Sequence, residues 1–402
     1  MGRLPRPFAP DRLPRELRGF RCHAGGLASA TVALALLAAG TRVSGAPPPL
    51  VVSGGVELRV ETLARGLEHP WGLALLPDGR MLVTERPGRL RLIDADGTLS
   101  PPLAGVPAVY ARGQGGLLDV TLAPDFSDSR QVFLCYAEAG AGGAGTAAAR
   151  GILSERGLSD VKVIFRQQPK VQGDNHFGCR LVFRPDGTLF LTLGERFKFA
   201  PAQDLQSHLG KIVRINPDGS VPPDNPFIGS DRARPEIWSL GHRNVQGAAI
   251  HPLSGALWTA EFGPLGGDEV NIPAPGGNYG WPLVSWGDHY SGEPIPKPPT
   301  RPDLADAIYH WVPAVSPSGI AFYDADLIPA WRGSLLLAGL SSESLIRLSL
   351  VGERVTGEER IRLGERLRTV KIAGDGRVLL LTDAPDGALL RLTPNAGTAP
   401  LR

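Results

Sequence analysis

A short phrase recurs along the chain, and it limits the possible folds more than any other feature. An apolar run is followed by a turn of Pro, Asp and Gly, then by a second apolar run. The first instance is Trp71-Gly72-Leu73-Ala74-Leu75-Leu76, then Pro77-Asp78-Gly79, then Met81-Leu82-Val83-Thr84. Comparable turns stand at Pro124-Asp125, Pro185-Asp186-Gly187, Pro252-Leu253-Ser254-Gly255, Pro317-Ser318-Gly319 and Asp375-Gly376. The steps between them are about 47 to 67 residues, in the range of propeller blades. Runs such as Thr188-Leu189-Phe190-Leu191-Thr192-Leu193, bounded by turn residues, read as strands. The 402 residues include 51 Gly and 38 Pro, which favours many turns over long helices. Six units of four strands each predict an all-β, six-bladed β-propeller with four-stranded antiparallel blades. A β-sandwich pair or a seven-bladed ring are the alternatives. A propeller gathers loops from all blades at one mouth of a central channel, so functional residues should be scattered along the chain. Two linking segments stand out. Residues 137–149 are rich in Gly and Ala and are expected to form a mobile loop. Residues 293–302 carry five prolines and read as a stiff surface excursion.

Residues 1–46 read as a secretory leader and residues 47–402 as a single propeller domain. An arginine-rich start precedes an uncharged stretch over 24–41, and Ser44-Gly45-Ala46 offers a cleavage site. A signal-anchor, or a start placed too far upstream, would look similar. The stretch is short and rich in Ala and Gly, so it makes a poor permanent span. The expected location is periplasmic or secreted. The leader holds seven arginines and two acids; without it, 35 basic residues face 38 acidic ones, a net charge of −3. No basic field remains to hold a nucleic acid. Cys22 leaves with the leader. Cys135 and Cys179 show no metal-ligand spacing, and two small buried hydrophobes are favoured over a bridge.

Polar clusters interrupt the apolar pattern. Asn175-His176-Phe177 precedes the strand Arg180-Leu181-Val182-Phe183, and Gly241-His242-Arg243-Asn244 follows Ile237-Trp238-Ser239-Leu240. Glu261-Phe262-Gly263-Pro264, Gly266-Gly267-Asp268-Glu269 and Asn278-Tyr279-Gly280-Trp281-Pro282 come next. Arg366 and Arg368 share one face of a strand by the two-residue alternation. Arg243 with this pair would make an anion site. The acidic Gly-rich loop suits a hard cation such as Ca²⁺, and His176 at a strand entrance suits a general base. Plain structural readings stand beside these: a turn histidine, a solvated Arg-x-Arg face, a simple Gly-Gly-Asp-Glu turn and a packed aromatic turn. Zinc spacing, nucleotide loops and a Gly-x-Ser-x-Gly elbow are absent.

Taken together and in order, these motifs resemble those of the soluble quinoprotein sugar dehydrogenases, over roughly residues 63–392. The shared phrases are His69-Pro70-Trp71-Gly72, Gly113-Gln114-Gly115-Gly116-Leu117-Leu118, Asn175-His176-Phe177-Gly178 and Gly241-His242-Arg243-Asn244. Gly263-Pro264, Gly266-Gly267-Asp268-Glu269-Val270-Asn271, Gly277-Asn278-Tyr279-Gly280-Trp281-Pro282 and Arg366-Leu367-Arg368 complete the set. The resemblance implies a six-bladed propeller that oxidises aldose sugars at C1 to the lactone, with pyrroloquinoline quinone (PQQ) and Ca²⁺ as cofactors. It implies that His176 takes the C1 hydroxyl proton while hydride passes to the quinone, whose carbonyl Arg243 polarises. Gln114, Arg243, Asn244, Tyr290, Arg366 and Arg368 match cofactor contacts. Glu269 and the carbonyl of Tyr279 match a calcium site, and Gly263 and Pro264 match carbonyls on a cofactor-bound calcium. Electrons would pass to an external acceptor, and the chain is expected as a monomer or homodimer. There are departures: Ser341 stands where some members have a cofactor-contacting lysine, Glu195 where Asp is commoner, Cys179 where a small residue is usual and Thr369 where Asp is usual. Other readings on the same fold are a lactonase-like calcium hydrolase and a non-catalytic sugar- or partner-binding propeller.

Overall fold

The computed structural model describes residues 49–395, and the leader expected over residues 1–46 lies outside them. Six antiparallel sheets follow one another around a central axis, the six-bladed all-β propeller the repeats imply. Blades 2 to 5 span residues 117–166, 178–240, 245–311 and 317–362, with four strands each. Blade 1, residues 70–93, has three. The segment after it carries Pro101, Pro102 and Pro107, which cannot donate to a ladder. Blade 6 has five strands and uses both ends of the chain. Val56–Leu67 pairs with Gly387–Pro394, placing Val60 opposite Leu392, and Leu50–Ser53 is added outside. This pairing closes the ring and leaves fewer open edges.

The apolar runs are continuous because both faces of a blade are buried. In Val378–Thr382, Val378 and Leu380 pack toward blade 5, while Leu379 and Leu381 pack toward blade 1.

Three expectations need correction. Pro317-Ser318-Gly319 is not a turn but the start of the strand Pro317–Tyr323; the turn follows Tyr323. Proline is tolerated at a first strand residue. Residues 137–149 are not a mobile loop. They form most of a long hairpin, Gln131–Gly140 with Gly143–Ser154, in which Ala147, Ala148 and Ala149 are fully buried. Small side chains there are packing, not slack. Cys135 and Cys179 are not separate hydrophobes but a disulfide, with Cα atoms 5.7 Å apart. They belong to adjacent blades and share one core, which brings their backbones within bonding range.

The first strands of successive blades pack side by side around the axis. Each carries a register shift close to its beginning, in all six blades. Such bulges bend a strand and re-aim its side chains. Crowding at the axis requires glycine at some of them. A Cβ on Gly72 would sit 2.8 Å from the Val120 nitrogen of blade 2, and one on Gly247 would sit 2.3 Å from the Ser318 oxygen of blade 5.

Just inside the bulges lies a buried polar floor. The Arg180 guanidinium donates to Asp119 at 2.9 Å, to the Gln246 carbonyl at 2.9 Å and to the Thr369 hydroxyl at 3.2 Å. The Thr369 hydroxyl donates to the Trp71 carbonyl at 2.6 Å, and Arg180 lies 4.0 Å over the Trp71 ring. Arg368 bonds Gln246 and donates to Ser318 at 3.3 Å. Six blades are thereby joined across the axis. On one side a cavity of about 660 Å³ opens between the later halves of the first strands. On the other side stand the segments that precede those strands, and with them the polar clusters.

Candidate active site

His176, two residues before the strand Gly178–Phe183, has φ of 52°, a conformation a non-glycine residue rarely takes. Its backbone is fixed from both sides: its N–H donates to the Gln114 side-chain oxygen at 2.8 Å, and its carbonyl accepts from Arg196 at 3.3 Å. Its ring Nδ1 lies 2.5 Å from Glu195 Oε1. Glu195 Oε2 also accepts from the N–H groups of Lys198 and Phe199. Burial alone would raise the Glu195 pKa, but these donors together hold it below the usual value. An ionised Glu195 makes Nδ1 the protonated nitrogen. Nε2 then carries the lone pair, and it has no protein partner among the described residues. Burial is the main force lowering the His176 pKa below 6.5; Glu195 opposes it and the Arg243 charge adds to it.

Glu195 also joins His176 to the next blade, since its N–H donates to the Arg243 carbonyl at 2.9 Å. The segment after it is strained: Arg196, Phe197 and Phe199 all have φ near 60°. Arg196 holds it by donating to the carbonyls of Asn175, Ala144 and Gly173. Phe197 is thereby laid against the His176 ring at 5.1 Å, and it stacks on Tyr290 at 6.3 Å.

Arg243 precedes the strand Val245–Ile250. Its N–H donates to Glu261 at 2.7 Å. Its guanidinium donates to the Gly263 carbonyl at 2.5 Å, the Phe262 carbonyl at 3.1 Å and the Tyr290 hydroxyl at 3.1 Å. Asn244 accepts from the Gly178 N–H at 3.1 Å. Arg368, bonded to Gln246, belongs to the same mouth, and Asp383 accepts from Arg368 at 2.9 Å and from Arg366 at 3.2 Å. Gln114, His176, Arg243, Asn244, Tyr290, Arg366 and Arg368 thus gather at one end of the channel, although five come from segments preceding first strands, Arg368 from the start of the strand Leu367–Ile372 and Tyr290 from an excursion within blade 4. Phe197, Phe199, Arg243, Pro264 and Tyr290 line a cleft of about 290 Å³ there. Buried donors remain unmatched at this mouth: Arg243 Nε, Asn244 Nδ2 and Arg368 Nε. Buried donors are rarely left so, and two of the three are cationic, which suits an anionic ligand rich in acceptors.

The expected calcium residues lie one strand further out. Glu269 faces Glu261 directly across the ladder, and Asn271 bridges them with bonds of 3.1 Å and 3.0 Å. Exclusion of water raises the Glu269 pKa well above 4.5, and the Glu261 charge raises it further. Glu261, Glu269, Tyr279 and Gly263 line a cavity of about 20 Å³, room for a single small species. Two facing carboxylates there suit a hard cation, although no cluster of three or more His, Cys, Asp or Glu arranged for a metal occurs among the described residues. The Gly263 carbonyl, expected on a cofactor-bound calcium, instead accepts from Arg243. Ser341 is exposed, and its hydroxyl donates to the Ala314 carbonyl at 3.4 Å.

Sequence reasoning noted Glu195 only as a variant and gave no part to Phe197, Phe199, Arg180, Asp119, Glu261 or Asp383. The left-handed residues and bulges that aim them have no sequence signature except the glycines at 72, 178, 247 and 319.

Comparison with known proteins bears on this site. The glucose/sorbosone dehydrogenase family model matches residues 67–391. The aldose sugar dehydrogenase YliI of Escherichia coli (strain K12) is 48% identical over 345 residues, covering 84% of this chain and 93% of the relative. A glucose dehydrogenase crystal structure superposes with a TM-score of 0.81 at 53% identity, covering 83% of this chain and 98% of that one. The PQQ-bound aldose sugar dehydrogenase of Streptomyces coelicolor superposes at 0.71 with 33% identity, covering 87% and 100%.

Proposed function

This chain belongs to the glucose/sorbosone dehydrogenase family, and from that premise we propose that it oxidises aldose sugars at C1 to the lactone using PQQ, with His176 as general base. The observation that carries the reading is the double role of Glu195, whose side chain orients His176 and whose backbone holds Arg243. When bound, PQQ supplies the acceptor for the hydride leaving C1. The protein's part is positional and electrostatic. His176 Nε2, neutral because burial depresses its pKa, takes the C1 hydroxyl proton. The Arg243 guanidinium provides fixed positive charge where negative charge develops. Gln114, Asn244, Tyr290, Arg366 and Arg368 complete the cofactor's surroundings, and the unmatched donors supply its hydrogen bonds. Phe197 and Tyr290 offer apolar ring faces and restrict water at the cleft.

Glu269, Glu261 and the Tyr279 carbonyl are proposed to hold Ca²⁺. A second calcium on Gly263 and Pro264 would share the Gly263 carbonyl with the Arg243 guanidinium, or displace it. The Cys135–Cys179 disulfide favours an oxidising compartment, in keeping with a periplasmic or secreted protein. Among the described residues no helix is long and apolar enough to cross a membrane.

Reconstitution tests the proposal. Residues 47–402, purified without cofactor, are mixed with PQQ and CaCl₂, and dye reduction is followed with several aldoses. Sugar-dependent reduction is expected, and His176→Ala should abolish it while keeping quinone affinity. Absence of PQQ binding, or hydrolysis of sugar lactones without quinone, would overturn it.

A further inference from the structure

The mouth contains another arginine, for which neither the motif resemblance nor the reaction above has a use. Arg86 directly follows the strand Met81–Glu85 of blade 1. Its N–H donates to the His69 carbonyl at 3.2 Å, and its guanidinium donates to the Gly113 carbonyl, one residue from Gln114. Its Nε is buried and has no partner. Among the described residues it makes no ion pair, whereas neighbouring Arg89 and Arg91 are both paired with Glu85.

The charge of Arg86 reaches the anion-binding pair. Burial brings the Arg368 pKa down to about 10; Asp383 opposes that fall and Arg86 adds to it. Burial acts to raise Asp383, yet Arg368, Arg366 and Arg86 together hold it below its ordinary value. Asp383 is the one carboxylate these three guanidiniums share. Its Oδ2 accepts from Arg366 and Arg368, while its Oδ1 is buried without a hydrogen bond, 3.9 Å from His69 Nδ1. Three positive groups around one negative group leave a surplus of two charges, and two of the three present a buried, unpartnered Nε. Such a surplus is costly unless an anion completes it.

We propose that Arg86 is a direct cofactor-binding residue, donating to a carboxylate of the quinone from the blade 1 side while Arg366 and Arg368 do so from blade 6. The proposal rests on the PQQ reading above. The Gly113 bond is made by Nη2; it fixes the guanidinium plane and leaves Nη1 to donate to a carboxylate oxygen. It also places a cation at the mouth of a chain that has Ser341 where some relatives have lysine.

The test is equilibrium binding, read independently of turnover. PQQ is titrated into residues 47–402 with CaCl₂ present, and quenching of tryptophan fluorescence gives Kd at low and high salt. Arg86→Gln is expected to weaken binding at least about tenfold, as for loss of a charge-assisted hydrogen bond, and to flatten the salt dependence. Arg86→Lys keeps the charge but loses the fixed planar donor, and is expected to bind with intermediate Kd. It also serves as the second variant should loss of the Gly113 bond impair folding of the first. A Kd for folded Arg86→Gln within twofold of wild type overturns the proposal, as does Arg86→Lys matching wild type at both salt concentrations. Wild type that binds no PQQ overturns the cofactor reading itself, and this assignment with it.

Discussion

Removing the disulfide with Cys135→Ala and Cys179→Ala together should cost a specific amount of stability. The bond joins positions 44 residues apart. Closing a loop of that length lowers the entropy of the unfolded chain by about 13 cal/mol/K, or about 4 kcal/mol at 25 °C. Unfolding entropy of about 2.1 cal/mol/K per residue, over roughly 350 ordered residues, is about 0.7 kcal/mol/K. The expected fall in Tm is therefore about 5 to 6 °C. Alanine is the right replacement because both sulfurs are fully buried in an apolar cluster, and serine would leave unmatched hydroxyls there. The assay is calorimetry of residues 47–402, wild type and double variant, with and without reductant. Reductant should lower wild type toward the variant and leave the variant unmoved. A Tm difference under about 1 °C would refute the loop-entropy argument. Two free thiols titrating in denatured, non-reduced wild type would refute the bond itself.

Three further outcomes follow from the same geometry. Because burial keeps the His176 pKa below 6.5, turnover at limiting sugar should be flat above about pH 6.5 and fall on the acid side. Glu195→Gln, which removes the group that raises that pKa, should lower kcat more than it raises KM and move the acid limb to lower pH. A pH–rate profile checks both, and an alkaline limb in its place would contradict them. Arg180→Met leaves Asp119 buried without its partner and should cost about 3–5 kcal/mol by denaturant titration; a loss under about 1 kcal/mol would mean the floor contributes little to stability. The raised pKa of Glu269 means that its ionised form is disfavoured in the folded chain, a penalty present above the folded pKa and relieved as pH falls through it. Chelation should accordingly lower Tm at pH 7.5 and much less at pH 5, and Glu269→Gln should remove the calcium response; a Tm insensitive to calcium at both pH values would exclude the cation.

The blade count was legible because burial on both faces writes continuous apolar strands punctuated by turns, as in Trp71–Thr84. The ends of that pattern were less legible. Pro317-Ser318-Gly319 has turn composition but begins a strand, because Pro is harmless at a first residue and Gly319 is required by the approach of Thr369. Residues 137–149 have linker composition, yet their alanines are small because an adjacent blade lies against them. At the site, the chemical identity of His176, Arg243 and Arg368 could be read from the sequence. The aim of those side chains could not, since it depends on left-handed residues such as His176 and Phe197 and on a bulge in every first strand.

Arginine alone therefore says little at this axis, and whether Nε is matched separates its roles. Arg180 and Arg196 each have donors placed on three groups of the protein, and each lies over an aromatic ring, Trp71 and Phe177. On both, Nε and the two amino groups all meet protein acceptors, so they act as cross-braces. Arg86, Arg243 and Arg368 keep a buried Nε unmatched at one mouth. Arg214 also has an unmatched Nε, but it lies 5.1 Å over the Trp238 ring and pairs with Asp224, in blade 3 away from that mouth. The saturated arginines fix the strands from which the unsaturated ones project. That rigidity holds several like charges at one mouth, because side chains held by a braced floor cannot swing apart to relieve their repulsion. Loosening the floor should thus weaken anion binding without touching any group that contacts the anion: Arg180→Met should raise the Kd for PQQ even at temperatures where the variant remains fully folded, and an unchanged Kd there would show that the mouth is organised without it.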